Sequence, residues 1–322
     1  MKPRIIVTRR WPAVVERILA ERFDTTLNAG DIPLTPTQLK AAFLNFDAIL
    51  PTVSDKLPAS VFPDGDVRTK LIANFGVGFS HIDLGASRQR GIAVTNTPGV
   101  LTDCTADIAM SLLLAVARRT GEGERQLRAG EWAGWCPTHM IGTKLSGKTL
   151  GIIGMGRIGK AVAKRAHFGF DMKIVFFNRS WVEDDQICAM AANQVPTIED
   201  VLAQSDFVSL HCPGGAENRH LIDAPRIAAM KHAGFLINTA RGDVVDQDAL
   251  IDALENRVIA GAGLDVFAEE PLVPERLMQL ENVVLLPHLG SATEETRVAM
   301  GMKAVENLTA FFDGRPMPDK VA

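Results

Sequence analysis

Three polar residues, Arg241, Glu270 and His288, each follow a short apolar run. Their contexts are Asn238-Thr239-Ala240-Arg241-Gly242, Gly263-Leu264-Asp265-Val266-Phe267-Ala268-Glu269-Glu270-Pro271 and Pro287-His288-Leu289-Gly290-Ser291-Ala292-Thr293. Such runs read as strands, and open α/β sheets bind ligands at the carboxyl ends of their strands. The three residue types suit reduction of a carbonyl that has a carboxylate beside it. Histidine exchanges a proton near neutral pH and can protonate the developing alkoxide. A neighbouring carboxylate favours the imidazolium and fixes the ring. Arginine offers a planar fork that grips a 2-oxo-carboxylate at two points. Each residue also has a plainer reading. A histidine after proline is more often structural, Glu269-Glu270 could be an exposed acidic pair, and Arg241 could cap a helix. What favours catalysis is their joint occurrence, in this order, behind a glycine-rich turn.

That turn is Gly154-Met155-Gly156-Arg157-Ile158-Gly159. Leu150–Ile153 before it reads as a buried strand, and Ile158, Val162 and Ala166 after it recur at helical spacing. In this setting the glycines permit a tight turn, close approach of backbone to a pyrophosphate and close strand–helix packing. The free N–H groups at the helix start would hold the phosphates, with Met155, Arg157 and Ile158 in contact. The adenosine ribose is read about twenty residues further on, usually by an acid when the cofactor is NAD. Here that place is Phe177-Asn178-Arg179-Ser180. Asn178 brings no charge, and Arg179 and Ser180 supply the donors a 2′-phosphate wants. NADP is therefore the expected cofactor, with NAD second to it.

Composition removes other chemistries. The chain has no tyrosine, which excludes nicotinamide enzymes that use one as proton donor. Cys104, Cys136, Cys188 and Cys212 show no metal-ligand spacing, so no metal is expected, and they read as reduced thiols of a cytoplasmic protein. A net charge of −4 without a run of Lys or Arg argues against a nucleic-acid partner. The opening apolar run, Ile5-Ile6-Val7, is too short for a signal peptide or a membrane span.

Strand-like and helix-like stretches alternate along the 322 residues, which implies parallel sheets in two α/β domains. One set of strands is Arg4–Thr8, Ala48–Leu50, Leu71–Phe75 and Ala93–Asn96. The second is Thr149–Ile153, Lys173–Phe177, Phe207–Cys212, Gly234–Asn238, Ala262–Val266 and Val283–Leu286. Asp103–Arg118 reads as a long apolar helix capped by Thr102 or Asp103 and linking the domains. Residues 121–147, with Trp132 and Trp135, read as irregular. Thr293–Phe312 reads as a helix crossing back to the first domain, and Asp313–Ala322 as a loose tail.

The segments Gly76-Val77-Gly78-Phe79-Ser80-His81-Ile82-Asp83 and Asn96-Thr97-Pro98-Gly99-Val100-Leu101-Thr102-Asp103 complete a recognisable set. With the glycine turn and the three strand-end segments, the sequence resembles the D-2-hydroxyacid dehydrogenases and, within them, the glyoxylate/hydroxypyruvate reductase branch. The resemblance covers nearly all of the chain after its opening segment. It implies two doubly wound parallel-sheet domains, a Rossmann dinucleotide-binding domain (101–290) inserted into a smaller flavodoxin-like substrate domain (1–100 plus 291–322). It implies catalytic roles for Arg241, Glu270 and His288, and substrate-carboxylate contacts from the Val77 and Gly78 N–H groups. Cofactor contacts are implied for Thr105, Ala240 and Asp265 on the nicotinamide side, for Cys212-Pro213 on the adenine side, and for Thr239 and Gly290. Val53, Ser54, Leu101 and the Trp132–Trp135 segment would shape the pocket for a small 2-oxo acid reduced to the D-2-hydroxy acid. A homodimer built on the helix and loop 103–147 is also implied. Formate and phosphite dehydrogenases share the fold, but the formate enzymes carry Gln where Glu270 stands. The alternative of another class is an NAD(P)-sensing, corepressor-like interaction protein on the same scaffold; no basic patch or disordered tail favours it.

Overall fold

Side chains alternate across a strand, so a strand covered on both faces must be apolar at every position. Most of the short runs have this character, and their burial decides the layering. The computed structural model describes residues 1–322, which divide into two units, Met1–Leu101 with Ala292–Ala322, and Thr102–Ser291.

The first unit holds β1 (Arg4–Val7), β2 (Asp24–Leu27), β3 (Ala48–Leu50), β4 (Leu71–Ala73) and β5 (Ala93–Thr95), all parallel in the order β2-β1-β3-β4-β5. Ile5, Val7, Leu50 and Leu71 enter one apolar cluster, and Ile49, Ile72 and Val94 another, so the sheet is covered on both faces. The helix Glu294–Phe312 belongs to this unit and begins where the Thr293 side chain accepts the Thr296 N–H. β2 is absent from the sequence reading because Asp24-Thr25-Thr26-Leu27 is a largely exposed edge with no apolar alternation.

The tail corrects a second expectation. Asp313–Ala322 is tied down rather than loose: Val321 donates its N–H to Val94 and Val94 to Ala322, at 2.8 and 3.0 Å. The Asn307 side chain, fully buried, donates to Asp319 Oδ2 at 2.9 Å and accepts the Asp319 N–H at 3.0 Å. Gly314, Pro316 and Pro318 make the segment read as loose, and of these partners only Val94 lies far back in sequence.

The second unit is one parallel sheet of β6 (Thr149–Ile153), β7 (Lys173–Phe177), β8 (Asn193–Gln194), β9 (Phe207–Leu210), β10 (Phe235–Asn238), β11 (Gly261–Leu264) and β12 (Val283–Leu285), in the order β12-β11-β10-β9-β6-β7-β8. The order reverses between β6 and β9, the switch point at which such sheets bind ligands. Leu150, Ile152, Phe207 and Ile237 face one cluster and Ile153, Val208, Leu210 and Leu236 the other. Phe207 stacks on Phe235 at 5.0 Å between ring centres, and burying one such ring contributes about 1.5–3 kcal/mol. The helix Thr102–Ala117 lies against the helix Arg157–Phe170 and β11, and starts at Thr102 itself. Beyond it, Thr120–Arg128 is helical where the sequence, with Gly121 and Gly123, read as irregular. An ion pair from the N-cap residue Arg119 to Glu122 and another from Arg128 back to Glu124 brace that helix, which buries none of its side chains. No helix is long and apolar enough to cross a membrane.

Candidate active site

The glycine turn takes the form that its three glycines permit. Gly154 has φ +98°, and a Cβ there would lie 2.8 Å from the Cys212 nitrogen at the end of β9. Gly159 sits in the first turn of the helix Arg157–Phe170, where a Cβ would fall 2.3 Å from the Gly154 carbonyl oxygen. Gly156 differs: nothing lies within 4 Å of an added Cβ, and as N-cap it brings no side chain to the helix start. No side chain caps the start of that helix, and the space beside Gly156 is open, which suits a pyrophosphate at a helix N-terminus. Met155 is buried in the core, leaving only its backbone for a ligand, while Arg157 is exposed. Thr239, at the end of β10, is buried with its hydroxyl unpartnered. These features fit a dinucleotide.

The end of β7 forms a tight turn. Asn178 donates its amide to the Ser180 carbonyl and hydroxyl oxygens at 3.1 and 3.2 Å. Arg179 reaches across to Glu217, beyond the end of β9, at 2.8 Å. Burial pushes the Cys212 thiol up to about 11, while the nearby Arg179 charge pulls it down. His211 beside it is neutral, since burial drives its imidazole down to about 3, and its Nε2 lies 2.8 Å from the Ser209 hydroxyl.

Arg241, Glu270 and His288 follow β10, β11 and β12, three neighbouring strands. His288 Nδ1 lies 2.8 Å from Glu270 Oε2, and the other carboxylate oxygen accepts the Phe267 N–H at 3.1 Å. His288 Nε2 has no partner within the protein. Burial alone would raise the Glu270 carboxyl. The His288 hydrogen bond and charge, the Phe267 N–H and Arg241 outweigh it and hold the group below the usual carboxylate value. Burial lowers the Arg241 guanidinium from its ordinary value, opposed by the charges of Glu270 and Asp243.

Backbone contacts fix this geometry. Asn238 donates to the Arg241 carbonyl at 2.9 Å and accepts the Ala240 N–H at 3.0 Å. Gly242 packs so tightly that a Cβ would lie 2.0 Å from the Phe267 carbonyl, which joins the Arg241 turn to the Glu270 loop. Asp265 accepts the N–H groups of Leu289 and Gly290 at 2.6 and 2.7 Å, and Thr105 donates to the Gly290 carbonyl at 2.8 Å. His288 itself has φ +56°, a left-handed backbone uncommon outside glycine. The sequence reading missed Asn238, Gly242 and the holding role of Asp265. An Asn that closes a strand two residues before a turn is a legible signal for such a bond.

In the first unit the sequence-selected residues lie beyond the carboxyl ends of β3 (Val53, Ser54), β4 (Val77, Gly78) and β5 (Leu101). Asn74 donates to the Gly76 and Gly78 carbonyls at 3.0 Å, and Asn96 to the Val77 carbonyl at 2.8 Å. With these carbonyls engaged, the Val77 and Gly78 N–H groups have no acceptor within the protein. Ser54 is occupied by Thr52 and Arg9, at 2.8 and 3.1 Å; Val53 and Leu101 are partly buried.

The His288–Glu270 pair gives a stability prediction. A carboxyl held below its ordinary value stabilises the fold above that value, and the contribution is lost as pH falls through the folded-state value. The thermal advantage of wild-type protein over Glu270→Gln should therefore shrink progressively as pH falls through and below the ordinary carboxylate range. Melting curves across that range check this; a constant difference would show that Glu270 is not held ionised by its neighbours.

The family is shown by comparison with known proteins. The family model described as D-isomer specific 2-hydroxyacid dehydrogenase, NAD binding domain, matches residues 110–290. A glyoxylate reductase of Korarchaeum cryptofilum is 44% identical over 323 aligned residues, covering 100% of this chain and 96% of the relative. A structure titled as an NADPH-dependent glyoxylate/hydroxypyruvate reductase from Sinorhizobium meliloti, in complex with NADP and malonate, superposes with a TM-score of 0.88 at 36% identity, covering 100% of this chain and 97% of that one. A D-isomer specific 2-hydroxyacid dehydrogenase structure from a Polaromonas species reaches a TM-score of 0.91 at 37% identity, with both chains fully covered. The chain belongs to the D-isomer-specific 2-hydroxyacid dehydrogenases.

Proposed function

We propose that this protein is an NAD(P)-dependent reductase of small 2-oxo acids, glyoxylate or hydroxypyruvate first, yielding the D-2-hydroxy acid. The observation that carries the reading is the His288–Glu270 pair at 2.8 Å, with Arg241 at the end of the neighbouring strand and the glycine turn in the same sheet. The relatives named glyoxylate reductase, 44% and 42% identical over the whole chain, support the substrate class. The corepressor-like alternative has no support among these relatives.

The bound nicotinamide would supply the hydride. Gly154, Gly156 and the backbone of Met155, Arg157 and Ile158 would hold its pyrophosphate, and Thr105, Ala240 and Asp265 its nicotinamide side, with Thr239 and Gly290 also in contact. Cys212 and Pro213 would lie on the adenine side. Glu270 keeps the His288 ring oriented and its Nδ1–H engaged, so that Nε2 delivers the proton to the carbonyl oxygen. Arg241 binds the carboxylate and polarises the carbonyl through its fork. Val77 and Gly78 offer N–H groups to the same kind of anion, with Val53, Ser54 and Leu101 shaping the substrate side. NADP is the preferred cofactor on this reading, because Arg179 and Ser180 offer donors where an acid would repel a 2′-phosphate. Four free cysteines suit a reducing compartment such as the cytoplasm.

A panel of 2-oxo acids assayed with NADPH and NADH tests the activity. Glyoxylate and hydroxypyruvate should be reduced with a lower KM for NADPH than for NADH; inactivity across the panel with cofactor still bound would refute it. Arg241→Lys should raise KM for the 2-oxo acid and lower kcat, since two-point contact is lost while the charge remains. A homodimer is proposed from the apolar side chains on the helix Thr120–Arg128 and the segment after it, with Leu127, Trp132, Trp135 and Ile141 all more than half exposed. Sedimentation should give a dimer that Trp135→Glu weakens; a wild-type monomer at micromolar concentration would refute it.

A further inference from the structure

Asn178 leaves the end of β7 without the carboxylate usual in NAD sites, yet the fold returns one to that place from elsewhere. Glu217 lies in the short helical turn Ala216–Asn218, beyond the end of β9, and its Oε2 is 2.8 Å from Arg179 Nη1. The turn that carries it is braced. Gly215 donates its N–H to Asp243 at 2.8 Å, and the buried Asn218 donates its amide to the Pro213 carbonyl at 2.8 Å. Another acid in the segment after β7, Glu183, accepts from the Trp181 ring N–H at 3.2 Å and has no cationic partner.

We propose that Glu217 is a cofactor-discriminating residue: it holds Arg179 as a counter-charge and selectively opposes binding of a 2′-phosphorylated adenosine. The inference deepens the NADP reading above and rests on it. A 2′-phosphate must either take Arg179 from Glu217 or bind with that carboxylate close by, and both routes cost free energy. A 2′-hydroxyl brings no charge and leaves the pair intact. Glu217 thus lowers affinity for NADP and leaves that for NAD unchanged, which narrows a preference that Asn178, Arg179 and Ser180 alone would make steep. Both side chains are largely exposed, at 65% and 80%, so the effect is modest and screened by salt.

The test is calorimetric titration of adenosine 2′,5′-bisphosphate and 5′-AMP, which carry the discriminating group without the nicotinamide. Glu217→Gln should tighten the bisphosphate about twofold to fivefold and leave 5′-AMP unchanged. The gain should shrink at about 0.5 M salt. Glu183→Gln, which makes the same change in net charge, should produce no comparable gain. Equal effects of the two variants would overturn the proposal. So would weaker 5′-AMP binding in Glu217→Gln, because Glu217 would then be the acceptor for the ribose hydroxyl. Arg179→Gln separates the two levels. If it weakens the bisphosphate while Glu217→Gln fails to tighten it, the cofactor reading stands and this inference falls. If Arg179→Gln leaves the bisphosphate unaffected, the cofactor reading is wrong and the inference falls with it.

Discussion

The loop that carries His288 depends on one buried carboxylate. Asp265, 1% exposed at the end of β11, accepts the Leu289 and Gly290 N–H groups in two short hydrogen bonds, while its own carbonyl takes the His288 N–H at 3.0 Å. Burial pushes this carboxyl up, against the two N–H groups and the His288 charge, which favour the ionised form. Charge-assisted bonds to backbone are among the stronger ones available to a protein. They can sustain the positive φ of His288, a strained state that persists only where its surroundings over-determine it. Once the loop is set, the ring meets Glu270, and the other carboxylate oxygen of Glu270 is taken up by Phe267. The site is a chain of local constraints that begins at a strand end.

Close backbone packing is the second constraint. The Gly242 backbone lies so near the Phe267 carbonyl that no side chain fits there, and this contact sets Arg241 beside the loop that carries Glu270. The glycine turn uses the same device at Gly154 and Gly159, where strand, turn and helix meet without side chains between them. Gly156 is the exception, because its missing side chain leaves space open in front of the helix start. Glycine thus serves two opposite ends in one motif: it lets protein approach protein, and it leaves room for a ligand.

The sequence carried much of this because the relevant signals are local. Apolar runs marked β6 and β7 residue for residue, and the ends of β9 to β12 within one or two positions. Arg241, Glu270 and His288 were legible as polar residues placed after such runs. What was not legible depends on partners distant in the chain. β2 and β8 are exposed edges whose composition carries no alternation. The helix Thr120–Arg128 contains two glycines, which lower its local helical signal, and the Arg119–Glu122 and Arg128–Glu124 ion pairs recover only part of that cost. The tail read as loose because Val94, which pairs with Val321 and Ala322, lies on β5, far back in the chain. Glu217 was invisible for the same reason: nothing near residue 217 announces that it meets the end of β7.

The central claim is that His288, held by Glu270, delivers the proton to the reduced carbonyl. Single-turnover kinetics test it most directly, by mixing the NADPH-loaded enzyme with glyoxylate and following the loss of reduced-nicotinamide absorbance. For His288→Asn the account predicts a rate about two to four orders of magnitude below wild type, with NADPH binding retained. A variant that keeps the wild-type rate would contradict it.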